Sequence, residues 1–208
     1  AAGALVVTHL IDVSTVLRGT VCDLYSNLGT RPTGAAVRSA IEQQVVEIGV
    51  PVVTTIDFSQ VSLLDFSCAD EIVAKLLLRY AAADGPNGYL LFRGIHDGHL
   101  DPIETVLERH ELALIAWHEG FAELYGCVTD DERWLWEIIR DGGPIGLHDA
   151  ARDLGTSTDE TEQLLRCPSA RLLIVSRAFP WPSSAASRRP SRWSASFQRA
   201  PATPIAAP

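Results

Sequence analysis

The chain has 208 residues, 47% of them apolar, enough for one good domain and a small second one around a real core. No run approaches the ~20 apolar residues that cross a bilayer, and the apolar run at 4–7 is too short for an export signal, so the expected address is the cytoplasm. The net charge of −9 is uneven: 26 acidic and 10 basic residues precede position 166, whereas seven arginines and no acid follow from there. A body of that sign repels phosphate backbones, which disfavours nucleic acid as its partner.

In chain order, 6–13 is rich in β-branched residues and reads as an opening strand. Val16, Leu17, Val21, Leu24 and Tyr25 form a near-helical stripe over 14–28. The Thr30-Arg31-Pro32-Thr33-Gly34 segment breaks it, and Val37, Ile41, Val45 and Ile48 predict a helix over 35–48. The continuous apolar run at 52–58 predicts a buried central strand. Ser67 is then read as the cap of a helix to about Tyr80, and 84–88 as a turn. A third strand is expected at 89–92, a helix from Asp101-Pro102 to about His110, and a strand at 112–117. This alternation predicts an α/β domain over 1–120, a mixed sheet with helices packed on it. Beyond it, helices at 129–139, 147–154 and 158–165 and a wing strand at 171–175 read as a winged-helix-like module over 121–175. Residues 176–208, rich in Ser, Ala, Pro and Arg, read as a disordered basic tail or as an end translated out of frame.

The segment Ile56-Asp57-Phe58-Ser59-Gln60-Val61-Ser62-Leu63-Leu64-Asp65-Phe66-Ser67-Cys68-Ala69-Asp70 resembles the strand–loop–helix signature of STAS domains, the fold of anti-sigma-factor antagonists. It is more similar to a STAS-like family of unsettled function, in which Phe-Ala-Asp-Glu-like residues follow the serine; here they read Cys68-Ala69-Asp70-Glu71. The resemblance covers about 30–118. Asp65 matches the family's loop aspartate and Ser67 the position that the antagonists use as phosphoacceptor. Phe66 and Cys68 depart from the serine and glycine usual there. The resemblance implies a STAS-like domain acting by docking rather than catalysis, through Asp65, Phe66, Ser67 and Asp70. It also implies a partner such as a histidine-kinase-like ATPase or another signalling protein. Physically, a serine at a helix start suits a phosphate, because free N–H groups and the helix dipole favour negative charge there. The same serine with Asp70 three residues on is equally an ordinary cap, and Asp70 and Glu71 already fill the first turn with negative charge.

Other constellations lead less far. Cys22, Cys68, Cys127 and Cys167 form no CxxC pair, so neither a zinc site nor a redox motif is expected. His96-Asp97-Gly98-His99 reads as a loop before a helix capped by Asp101, not as a metal site, and no cofactor motif is present. Trp134 and Trp136 cannot share one helix face, so at most one is fully in the core. The helix at 158–165 offers a groove reader no basic residue before Arg166, which weighs against DNA binding by this module. Two alternatives stand beside docking: a transcriptional regulator using that module with the basic tail, and an enzyme of unrecognised type.

Overall fold

The structure is a computed structural model that describes residues 7–21, 27–48, 52–82, 84–86, 88–118, 120–142 and 146–166. Strand β1 (Val7–Asp12) passes into helix α1 (Val13–Thr20) without a loop. Asp12 makes that possible as the N-cap, accepting from the Ser14 amide at 2.9 Å and the Thr15 hydroxyl at 2.7 Å. The helix expected over 14–28 is therefore shorter. Asn27–Leu28 is instead a short strand, β2, which pairs in parallel with β4 (Leu63–Leu64) and buries Leu28 and Leu64. At 27–28 a tertiary pairing takes the place of the helix.

Helix α2 (Arg31–Ile48) starts four residues before the expected position 35. Pro32 sits in its first turn, where a missing N–H is harmless. Gly34 does not break the helix; it lets α2 close onto the next helix, where a Cβ would lie 3.0 Å from the Cys68 Cα. The apolar stripe Val37, Ile41 and Val45 faces the core as its spacing requires.

Strand β3 (Val52–Asp57) is the expected central strand, between β1 and β5 (Gly88–Arg93). After β4 the chain is helical over 66–81: α3 (Phe66–Ala69), a π-helical turn (Asp70–Ala74) and α4 (Lys75–Ala81). Helix α5 (Asp97–Arg109) leads to β6 (Ala113–His118), which turns back into β7 (Phe121–Gly126). The five-stranded sheet runs β1-β3-β5-β6-β7, mixed because β7 alone is antiparallel to its neighbour.

Alternation along the strands sorts the core into two faces. On one face Ile11, Ile56, Phe92 and Leu114 pack with α1 to α5 through residues such as Leu17, Ile41, Ile72 and Val106. On the other, Val53, Leu91, Ala113, Ile115, Ala122 and Leu124 are covered by Leu135 and Trp136 of α6 (Asp130–Gly142) and Ala150 of α7 (Leu147–Leu154). Trp136 is fully buried and Trp134 only partly, as the helix geometry requires. The sheet thus runs to Gly126, past the boundary expected at 120, and α6 belongs to its second core. The reason is that β6 and β7 form a hairpin whose inward residues need a cover. Helix α7 ends on Gly155 at φ +68°, and α8 (Thr158–Arg166) follows. The wing strand expected at 171–175 and the tail at 176–208 lie outside the described residues.

Candidate functional site

The helix start at 65–67 is built by Asp65, not by Ser67. The Asp65 carboxylate accepts from the Cys68 amide at 2.9 Å and from the Ser67 hydroxyl at 2.8 Å. Its own amide donates to the Leu28 carbonyl at 2.8 Å, continuing the β2–β4 pairing. This corrects the expectation that Ser67 is the cap: the carboxylate one residue before the helix reaches the third amide, and Ser67 falls inside the first turn, half-buried. Burial pushes the Asp65 carboxyl up, but the bonds from Cys68 and Ser67 outweigh it and hold it below its ordinary range.

Asp70, expected on the docking surface, is turned inward, as is Glu71. Arg31 at the start of α2 donates to Asp70 at 2.7 Å and to Glu71 at 2.8 Å. His110, just past α5, reaches the other Asp70 oxygen at 2.7 Å. Arg38 at 3.4 Å and Lys75 complete the clamp on Glu71. Burial raises both carboxyls, yet Arg31 and His110 for Asp70, and Lys75 and Arg31 for Glu71, hold them below the ordinary range. The π-helical turn sits at this point, and residues 68–74 are buried in succession because α2, α5 and the sheet surround the helix. The two carboxylates therefore brace three elements and leave the surface to others.

What remains outward is Leu63, 51% exposed, and Phe66, partly exposed beneath the Arg109 guanidinium at 5.8 Å from its ring centroid. Cys68 is buried against Thr30, its thiol pushed up to about 11 by burial and the Asp65 charge, so it is not a nucleophile. At the end of β3, Asp57 accepts from Arg93 at 2.8 and 2.6 Å and from the Ser59 amide and hydroxyl at 2.9 and 2.6 Å. It thereby fixes the turn that leads to β4.

The segment 96–101 is not a loop. His96 caps α5, its Nδ1 accepting from the Gly98 amide at 3.2 Å, so Asp101 and Pro102 lie within the helix. His96 and His99 both direct Nε2 at the Val61 carbonyl, at 3.2 and 3.0 Å. Among the described residues no three His, Cys, Asp or Glu side chains gather where a metal ion would need them. Sequence reasoning missed Arg31, Arg38, Lys75 and His110 because most of these partners lie 33 to 40 residues from the carboxylates they hold. The usable signal was the pair Asp70-Glu71 beside the apolar residues 72–74 and 76–78, a placement that demands cations to pair them.

No protein-family model, curated protein or solved structure matches this chain. No helix among the described residues is long and apolar enough to cross a membrane.

Proposed function

We propose that the protein is a non-enzymatic regulator that docks a partner protein through Leu63, Phe66 and Ser67, on a STAS-like domain. The observation that carries this reading is the contrast within one short stretch. Asp65 and Asp70 are consumed by internal bonds, while Leu63 faces outward and Phe66, packed on the core, keeps part of its ring exposed beside a rigidly capped helix start. Such a fixed apolar and aromatic pair, rimmed by Arg109, suits protein contact more than chemistry. The order of parts supports the STAS-like reading: a central strand ending in Asp57, a braced turn, then an Asp-capped helix. The winged-helix-like reading of α6 to α8 rests on three short helices with Gly155 at a tight turn.

The resemblance implies a histidine-kinase-like ATPase or another signalling protein as partner, and a phosphate on Ser67 as the switch. At this site such a phosphate would act by disruption. It would remove the hydroxyl proton that Ser67 donates to Asp65 and set a dianion beside that carboxylate, unfastening the cap. Affinity purification with the native chain, Leu63→Glu, Phe66→Ala and the distant surface control Val46→Glu tests the reading. A signalling partner held by the native and Val46→Glu chains and lost by the other two supports it. Equal retention by all four overturns it.

A further inference from the structure

The paired histidines at the start of α5 do a job that docking does not use. The His96 and His99 rings lie 3.5 Å apart between centroids, both Nε2 atoms on the one carbonyl of Val61. A carbonyl only accepts, so each Nε2 must carry the proton there. For His96 this fixes the whole ring: Nε2–H donates to Val61 and Nδ1 accepts from the Gly98 amide, a neutral imidazole with no room for a second proton. His99 is fully buried, and its Nδ1 lies without a partner. Phe58 covers it with a tilted ring at 6.0 Å.

We propose that His96 and His99 form an acid-sensitive latch on the segment between β3 and β4, closed while both rings are neutral and opened when they take up protons. The consequence of each proton follows from the geometry. A proton on Nδ1 of His96 breaks the cap and sets a cation at the positive end of the α5 dipole. A proton on Nδ1 of His99 is a buried charge with no acceptor, with the His96 ring 3.5 Å away between centroids. The Val61 carbonyl can be freed only with its own loop, since its amide bonds back to Phe58 at 2.9 Å. The segment therefore swings out between its two anchors, the Asp57–Arg93 pair at one end and Asp65 at the other.

Those anchors do not share the latch's pH window. Both carboxyls are held below their ordinary range, Asp57 by Arg93 and Ser59 against the opposing effect of burial, so they stay charged as His99 titrates. Asp97 follows His96 in α5, and the charge acting on His99 is that of His96. Burial and His96 push His99 down to about 4 from 6.5. A base so depressed in the closed state stabilises closure above pH 6.5 and loses that contribution as pH falls toward 4.

The test uses the full chain and needs no partner. Hydrogen exchange over 58–64, corrected for intrinsic rates, should accelerate roughly thirtyfold from pH 7.5 to pH 5, while β3 and β5 stay protected. Imidazole nitrogen NMR at pH 7.5 should show both rings as Nε2–H tautomers. The variant His96→Asn with His99→Gln should abolish the acceleration. Its persistence in that variant, protection of 58–64 down to global unfolding, or an Nδ1–H tautomer at either native ring would each overturn the latch. The tautomer readout stands even where the double variant fails to fold.

Discussion

Glycine 34 and glycine 19 show how one residue type can serve opposite ends. Both lie in helices, but a Cβ at Gly34 would press on the Cys68 Cα at 3.0 Å and the Glu71 Cβ at 3.1 Å, whereas at Gly19 it meets nothing within 4 Å. Gly34→Ala should therefore cost ~1–3 kcal/mol through forced separation of α2 from the helix at 66–81. Gly19→Ala should gain up to ~1 kcal/mol from helix propensity alone. Urea titrations of the two variants should shift in opposite directions. Glu104 carries a different kind of strain. Its Oε1 is buried without a partner, and burial with the charges of Asp101 and Glu108 pushes its carboxyl up to about 7 from 4.5. The folded state thus keeps a proton that the unfolded chain releases, so its contribution to stability falls as pH rises from 4.5 to about 7. Glu104→Gln should be neutral at pH 4 and increasingly stabilising up to pH 7, then level; a constant offset across that range would contradict the assignment.

The elements that could be read from sequence were those whose pattern is local. The stripe Val37-Ile41-Val45 gave α2 its face, the run over 52–58 its place at the centre of the sheet, and Leu147–Leu154 its full extent. What could not be read depends on distant partners. β2 and β4 are two residues long and exist because they pair with each other. The start of α5 moved to Asp97 because His96 found an amide to cap and a carbonyl 35 residues away. At the candidate site Ser67 was legible as a helix start and Asp65 only as a loop residue; that Asp65 makes the cap was decided by reach. Asp70 was misread as surface because its cations come from α2 and the end of α5. The largest consequence at this scale concerns the second sheet face. A chain ending at 120 loses β7, Leu135 and Trp136 and leaves Leu91 and Ile115 bare. It should melt without cooperativity, whereas 1–166 should show one sharp transition by calorimetry. Within the longer chain, Trp136→Ala should cost ~3–5 kcal/mol.

Across the described residues, five acidic groups that fasten elements to their neighbours share one electrostatic signature. Asp12, Asp57, Asp65, Asp70 and Glu71 all sit below their ordinary range, held there by amides, hydroxyls and cations in spite of burial. Groups depressed in the folded state stabilise it above their unfolded values, 3.8 for Asp and 4.5 for Glu, and lose that contribution as pH falls through the folded ones. Acid unfolding should be steep below about pH 4. Glu71→Gln should flatten that limb, at a cost on the order of 3 kcal/mol near neutrality because Arg31, Arg38 and Lys75 each lose a carboxylate partner. The sheet order carries a separate consequence. Along β1-β3-β5-β6-β7 position in the sheet follows position in the chain, so no strand has to be wedged between two already joined. A nascent polypeptide can therefore lay down its sheet in the order of translation, each strand docking on the edge left by the one before. Ribosome-bound chains arrested at successive lengths should gain protease resistance stepwise from β1 toward β7, and a single jump only after release would show that synthesis and assembly are uncoupled.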